Sequence, residues 1–180
     1  MTLSLNEYQN EAMRTAIYPE DRGLEYTALG FSSEVGELAE AWLNGKGREG
    51  TIKVLSEAGD NYWYVSAIAH SLGETLESVF VFANVNENID YLPLDDLFLE
   101  LAVQAGNIAG AVKKAIRDNG GQLTEDKYDL VMDSLANSLK VLDNIVLHFG
   151  ATPAGVQAAN LDKLADRQRR NVIGGSGDNR

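Results

Sequence analysis

The chain has 180 residues, 44% of them hydrophobic, which is enough for one ordinary domain with a buried core and excludes wholesale disorder. Its 15 basic and 27 acidic residues give a formal charge of −12, which disfavours electrostatic binding to nucleic acid or to an anionic membrane. Cysteine is absent, so disulfides, thiolate metal sites and a thiol nucleophile are excluded. Because no export signal and no apolar run of ~18 residues is evident, we expect a cytoplasmic protein without a membrane span.

Apolar residues recur at helical spacing along most of the sequence, and the pattern breaks at the three prolines. No segment alternates apolar and polar residues over a useful length. The predicted fold is therefore all-α, with a helical bundle at its centre. The short apolar run VFVFA could pass for a strand, and we interpret it as part of a buried helix. The predicted helices cover residues 5–17, 26–44, 52–72, 74–88, 95–118, 124–149 and 153–171.

The acidic charge is concentrated in the first part of the chain. Residues 1–100 carry 5 basic and 18 acidic side chains, whereas residues 101–180 carry 10 and 9. An acidic solvated surface would account for this split. A chain whose first half holds cations and whose second half holds anions would account for it equally well.

The sequence also repeats itself. EVGELAEA at residues 34–41 aligns with QAGNIAGA at 104–111, and EAGD at 57–60 aligns with SLAN at 134–137. Each carboxylate of the first copy faces a neutral polar residue in the second. We therefore predict two related copies, about residues 1–90 and 94–180, within a single domain spanning residues 1–180. The paired positions are Glu34 with Gln104, Glu37 with Asn107, Glu57 with Ser134, and Asp60 with Asn137.

Four carboxylates stand in pairs at helical spacing. Glu34 and Glu37 lie one turn apart on the second predicted helix, and Glu57 and Asp60 repeat that spacing on the third. If the two helices pack antiparallel, the four acids converge. Uncompensated charges in a partly buried place are costly, and a hard divalent cation, usually Mg²⁺ beside phosphates, removes that cost. The alternative is that the acids lie on solvated helix faces, against which their small and apolar neighbours argue.

A glycine lies between the two acids of each pair. Gly36 separates the first pair and Gly59 the second. Glycine weakens a helix but permits close approach of a neighbouring helix or a ligand. We therefore expect another element or a ligand to come near both pairs.

These motifs identify a family resemblance. GFSSEVGELAE followed by LSEAGDNYWY resembles the MazG-like nucleoside triphosphate pyrophosphohydrolases, an all-α superfamily that includes dimeric dUTPases. The family signature is Glu-x-x-Glu, a gap, and Glu-x-x-Asp, and here the gap between Glu37 and Glu57 is 19 residues. YQNEAMRTAIYP resembles the opening, and NLDKLADRQRRNVIGGSGDNR the close, of the phage and bacterial branch. KKAIRDNGG resembles the basic stretch that ordinarily follows the first acid pair, so the resemblance covers most of the chain.

The chain departs from the family pattern in several places. Ser33 stands where an acid is frequent, and Asn171 stands where glycine is more usual. The basic stretch and the closing segment lie in the second copy, whereas the carboxylates lie in the first. MazG-like proteins normally work as dimers of identical short chains, so this chain resembles such a dimer fused into one polypeptide. Pairing of two chains into a homodimer stays possible.

The resemblance implies Mg²⁺-dependent hydrolysis, with Mn²⁺ as a possible substitute, of an NTP or dNTP to the monophosphate and pyrophosphate. It implies that the four acids hold two or three metal ions, and we choose Glu37 as the group that accepts the proton of water. Tyr64 is the expected contact to the base, with Trp63 as the alternative and Trp42 in reserve. The candidate phosphate contacts are Lys113, Arg117, Lys163 and Arg167.

Other interpretations stay open from the sequence. The lysines and arginines could be solvated groups near helix C-termini, where the helix dipole favours them in any case. An aromatic residue at helical spacing more often belongs to a core than to a ligand site. The whole fold could capture a nucleotide without turnover, or form a structural bundle with no ligand. If the chain is phage-encoded, the expected location is the host cytoplasm.

Overall fold

The computed structural model describes residues 3–174, apart from the side chain of Phe82. Within that range the protein is entirely helical and contains no strand. The last residues of the predicted closing segment, 175–180, lie outside the described part. The α-helices are α1 (Leu5–Met13), α2 (Gly23–Asn44), α3 (Gly47–Ser71), α4 (Leu76–Phe82), α5 (Leu94–Asp118), α6 (Glu125–His148) and α7 (Pro153–Arg169), with 3₁₀ helices at Glu20–Arg22 and Glu87–Tyr91.

The first predicted helix is shorter in the structure than the apolar pattern indicated. α1 begins with a capping box, in which Ser4 and Glu7 exchange side-chain and backbone hydrogen bonds. It ends at Met13 rather than at residue 17. The backbone N–H and the hydroxyl of Thr15 both donate to the carbonyl of Ala12, at 3.0 and 2.7 Å, which tightens the last turn and stops the helix.

The fourth predicted helix, over residues 74–88, divides into two pieces. α4 includes most of the VFVFA run, so the helical interpretation of that run is confirmed. The expectation that this helix is buried is only partly correct, because Val79 is buried whereas Val81 is 75% exposed. Beyond α4 the chain is held by side chains of α6. The N–H of Asn84 donates to Asp133 at 2.6 Å, and the N–H of Asn86 donates to Asn137 at 2.8 Å. These contacts from a distant helix replace the intrahelical hydrogen bonds that a continued helix would need.

Two long helical hairpins form the centre of the molecule. α2 and α3 are antiparallel and joined by residues 45–46, and α5 and α6 are joined by residues 119–124. The antiparallel direction is evident where Gly30 faces Tyr64 and Gly23 faces Ser71. α2 packs on α5 and α3 packs on α6, while α1 and α7 lie against α3. The core between them includes Phe31, Leu38, Tyr62, Ile68, Leu101, Ile108, Leu135 and Leu142, all fully buried.

Glycine and asparagine end several helices, as the sequence predicted. Gly120 follows α5 with a φ of 60°, a left-handed conformation that glycine adopts without steric cost. Asn171 follows α7 with a φ of 57°, in the same left-handed region. Asparagine is among the few other residues that tolerate this region. None of the helices between residues 3 and 174 is both long and apolar enough to cross a membrane.

Candidate metal centre

Three of the four predicted ligands lie together between α2 and α3. One carboxylate oxygen from each of Glu34, Glu37 and Glu57 lies within 4.8 Å of the others. The antiparallel hairpin brings the pair on α2 against the third residue on α3. Glu57 is only 2% exposed, Glu34 is half-buried and Glu37 is exposed. This acidic cluster, Glu34, Glu37 and Glu57, therefore extends from the core to the surface.

The pKa of the Glu34 carboxyl group reflects the negative charge around it. Its pKa is raised to about 8, first because burial disfavours the charged form, and then because Asp60, Glu37 and Glu57 repel it. Lys163 acts in the opposite direction and lowers the pKa. The cluster without a cation therefore favours a protonated Glu34 at neutral pH.

Asn61 ties the two helices together at the cluster, and sequence analysis missed it. Its amide donates to the backbone carbonyl of Glu34 at 3.0 Å and to that of Glu57 at 2.9 Å. Asn61 is fully buried, and its Oδ1 finds no hydrogen-bond partner within the described part of the chain. An asparagine on a buried helix face, next to an acid pair, is the signal that could have found it, because asparagine is unfavourable in helix interiors.

Asp60, the fourth predicted ligand, faces α7 instead of joining the acidic cluster. Its Oδ2 accepts from Lys163 at 2.6 Å, and its Oδ1 accepts from the Asn160 amide at 2.7 Å. Only 17% of the Asp60 side chain and 24% of the Lys163 side chain are exposed. A shielded carboxylate is stabilised by such a pairing, and this explains why the expected four-acid convergence reduces to three. Asp60 still lies close enough to raise the pKa of Glu34.

The two glycines between the acids have different surroundings. A Cβ atom added to Gly59 would lie 3.0 Å from the Cβ of Asn160, so α7 approaches α3 closely at that point, as predicted. No described atom lies within 4 Å of the equivalent position on Gly36. No described helix therefore approaches Gly36, which faces open space, and the expectation of a ligand there stays a prediction.

The predicted phosphate-binding cations fall into two groups. Lys163 contacts Asp60 directly, and Arg167 lies one turn further along the same face of α7 with 5% exposure. Lys113 and Arg117 are exposed on α5, where Arg117 forms an ion pair with Asp118 at 2.6 Å. α7 therefore brings its cation to the acids, whereas the two α5 cations lie on the surface.

Tyr64 lies beside the acidic cluster on α3. Its ring covers Gly30 so tightly that a Cβ atom there would lie 2.0 Å from a ring carbon. Burial raises the pKa of the Tyr64 hydroxyl, and the neighbouring Tyr26 and Glu34 raise it further. The hydroxyl therefore stays protonated and lies within electrostatic reach of Glu34.

Both tryptophans considered as alternatives to Tyr64 are tied into the packing. The indole N–H of Trp63 donates to the Ala12 carbonyl at 3.1 Å and to the Thr15 hydroxyl at 2.9 Å. The ring of Trp42 stacks on Phe98 with 5.5 Å between centroids. These contacts join α3 to α1 and α2 to α5.

The neutral counterparts on the second hairpin hold other parts of the fold. The Gln104 amide donates to Glu100 one turn earlier at 2.6 Å, and Asn137 anchors the segment after α4. Ser134 is buried, and its hydroxyl has no hydrogen-bond partner among residues 3–174. Two of these neutral polar side chains, Gln104 and Asn137, therefore form hydrogen bonds within the fold.

The fold and the site define an all-α protein with a partly buried carboxylate cluster between two antiparallel helices. Over 80 residues, 44% of this chain and 70% of its relative, the sequence is 36% identical to the Gene 37 protein of Mycobacterium phage L5. The chain belongs to the family of that phage protein. No protein-family profile matches the chain, and no solved structure matches it. The relative's name states no activity, so arguments about function depend on the site.

Proposed function

We propose that this protein is a Mg²⁺-dependent nucleotide pyrophosphohydrolase that converts an NTP or dNTP to the monophosphate and pyrophosphate. The observation that carries the proposal is the meeting of three carboxylates within 4.8 Å, with Glu57 almost completely buried. Carboxylates that converge in a partly buried place repel one another, and a divalent cation between them removes that repulsion. The resemblance of both acid motifs to the MazG-like family supplies the reaction.

The donor set fits a hard divalent cation. Carboxylate oxygens are the ligands that Mg²⁺ prefers, and the same donors suit Mn²⁺. The pKa of Glu34 is raised because negative charges lie close together in a place with little solvent, and a bound cation would offset that charge. Glu34, Glu37 and Glu57 would hold the metal, and Asp60 would join them when Lys163 releases it. The metal, when bound, neutralises the triphosphate and lowers the pKa of a bound water.

The chain's own residues then divide the remaining tasks. Lys163 leaves Asp60 and binds a phosphate oxygen, with Arg167 one turn away and with Lys113 and Arg117 as further candidates. Glu37, the most exposed acid of the cluster, accepts the proton of the attacking water. The oxygen of that water bonds to the α-phosphorus, the bond from the α-phosphorus to its bridging oxygen breaks, and pyrophosphate leaves with that oxygen.

We also propose that the two hairpins are related copies of one MazG-like unit. The first hairpin carries the acidic cluster, and the second carries Gln104, Asn107, Ser134 and Asn137 at the aligned positions. The alignment offset rises from 70 residues at Glu34 to 77 at Glu57. Six residues join the helices of the second hairpin and two join those of the first, so the longer loop accounts for four of these seven residues. One chain would thus correspond to a dimer of short family members.

One observation favours the alternative, a protein that binds a nucleotide without hydrolysing it. Both oxygens of Asp60 are engaged by α7, through Lys163 and Asn160. If this pairing persisted with a nucleotide present, the metal shell would lose one expected ligand. Binding would then stay possible, while activation of water would be weak.

The test is a panel of NTPs and dNTPs incubated with the protein and Mg²⁺ or Mn²⁺, followed by assays of monophosphate and pyrophosphate. We expect both products in equal amounts from at least one substrate. Glu57→Gln should abolish turnover because it removes the most buried ligand charge, whereas Gln104→Ala, at the aligned position of Glu34, should retain metal affinity and activity. Metal-dependent binding without products would support the alternative. If neither binding nor products were detected, the enzyme and the binding protein would both be overturned.

A further inference from the structure

A cavity of about 350 Å³ lies between α3 and α7, close to Asp60. Its walls are mainly apolar, with Ile52 and Leu55 on α3 and Val156 and Ala159 on α7. The volume falls within the range of pockets that hold small organic ligands. These four apolar residues were not among the site residues predicted from the sequence.

The polar end of the cavity lies beside Asp60. Lys163 and Asn160 both line the cavity, and both donate to Asp60, at 2.6 and 2.7 Å. The ammonium group of Lys163 also donates to the hydroxyl of Ser56, another lining residue, at 3.3 Å. A ligand in the cavity would therefore touch the same side chains that hold Asp60.

Asn160 has unused hydrogen-bonding capacity at this wall. It is 3% exposed, and its Oδ1 is buried with no hydrogen-bond partner within the described residues. Its amide nitrogen is already engaged by Asp60. Buried polar atoms are nearly always paired, and a donor from a ligand in the cavity reaches this oxygen once the Asn160 side chain turns toward the cavity.

We infer that this cavity is the nucleobase pocket of the protein, an inference that rests on the proposed function. The heteroaromatic ring lies between the apolar walls of α3 and α7, and the Asn160 side chain turns so that its Oδ1 accepts from an N–H group of the ring. The phosphates then extend past Lys163 toward the acidic cluster. A nucleobase combines an apolar face with an N–H edge, which the cavity requires, whereas a hydrocarbon chain would leave Asn160 unpaired. Tyr64, the contact expected from sequence, lies outside this cavity.

Two neighbouring alanines on α7 allow a matched test. Ala158 and Ala159 are both exposed, but only Ala159 lines the cavity. Ala159→Phe should fill the cavity, and Ala158→Phe adds the same group beside it. Ile52→Trp, at a side chain that is 57% exposed, fills the cavity from α3 and serves as the second blocking variant. Circular dichroism and thermal unfolding check that all three variants fold.

The measurement is calorimetric binding, with Mg²⁺, of a non-hydrolysable nucleotide bearing an α,β-methylene bridge and, separately, of inorganic tripolyphosphate. Using whichever base the substrate panel favours, we expect Ala159→Phe and Ile52→Trp to weaken nucleotide binding by about tenfold or more. Both should bind tripolyphosphate as the wild type does, because the acids and Lys163 are unchanged. Ala158→Phe should match the wild type with both ligands.

Unchanged nucleotide affinity in both blocking variants would overturn the pocket and leave the proposed function standing. Equal losses for nucleotide and tripolyphosphate would also overturn it, because the cavity would then act on the phosphate site. A wild-type protein that binds tripolyphosphate no more weakly than the nucleotide would have no base pocket. A wild-type protein that binds neither ligand would overturn the proposed function as well.

Discussion

The ionisation of Glu34 depends on its burial, on the negative charges around it and, in the proposed function, on metal binding. Its pKa of about 8 means that most molecules carry a proton there at pH 7 when no cation is present. The causes are burial and the three neighbouring carboxylates, and a bound cation would reverse the second of them. Its ionisation should therefore be linked to metal binding.

We predict that Mg²⁺ binding at pH 7 releases a proton from Glu34, since a metal ligand must be deprotonated. The sign follows from the raised pKa: the metal-free form holds the proton below about pH 8 and has already lost it at pH 9. Calorimetric titrations in buffers of different ionisation enthalpy should give different heats at pH 7 and converging heats at pH 9. Glu34→Gln is the control, which should bind Mg²⁺ more weakly and release no proton. Buffer-independent heats at pH 7 in the wild type would contradict the linkage.

Lys163 is the cation whose contacts best support a role in binding phosphate. Lys163→Ala should lower affinity for the triphosphate by roughly one to two decades, on the order of 1.5–3 kcal/mol, because a charge-assisted contact is lost. Mg²⁺ binding without nucleotide should stay intact, since Asp60 is then free to act as a ligand. Lys114→Ala, at an exposed lysine of α5, is the matched control, and surface substitutions usually change free energies by less than about 0.5 kcal/mol. Wild-type kinetics in Lys163→Ala would refute the role.

At the scale of elements, α3 is the helix on which the site depends. It packs against α1, α2, α4, α6 and α7, and it supplies both Glu57 and Asp60. Its contact with α7 is tight at Gly59, where the absence of a side chain admits Asn160. The distance between these two helices therefore controls the ion pair of Asp60 and the width of the cavity.

Two glycine substitutions test this dependence. In an open helix position, Gly→Ala stabilises by up to about 1 kcal/mol, so Gly36→Ala should raise the free energy of unfolding. Gly59→Ala should lower it by about 1 kcal/mol or more, because the added Cβ at 3.0 Å from Asn160 forces α7 outward. Urea unfolding of both variants gives the comparison. Equal stabilisation by the two substitutions would mean that α7 moves to accommodate the added Cβ at Gly59 without a loss of stability.

At the scale of the whole molecule, the pair of hairpins predicts the state of assembly. A chain that already contains two hairpins should need fewer subunits than a family member with one, so a monomer or homodimer is expected to be active. Large apolar side chains such as Leu29 and Leu43 on α2, and Leu99 on α5, are mostly exposed and leave room for pairing. Light scattering combined with activity assays across a dilution series measures the number of subunits in the active species. A tetramer as the minimal active species would contradict the fused-dimer hypothesis.

Most of the helical architecture could be predicted from periodicity and helix-end residues. α2, α5, α6 and α7 agree with the apolar pattern to within three residues at each end, whereas α3 begins at Gly47, five residues before its predicted start. The errors at α1 and α4 occur where side chains compete for the backbone. Thr15 ends α1 by bonding to Ala12, and Asp133 and Asn137 hold the chain after α4. Only the second of these depends on a distant element, which sequence periodicity cannot report.

For the site, the sequence by itself determined which acids share a helix face, because three-residue spacing is a local property of one helix. It therefore predicted the pair on α2 and the contribution of Glu57. Only the tertiary structure decided that Asp60 pairs with α7, that Asn61 links the two helices, and that a cavity opens beside Lys163. Each depends on contact between residues far apart in the chain: Lys163 and Ser56 are separated by 107 positions. Which helices meet, and how closely, follows from the packing of their side chains in the core, and no single segment contains that information.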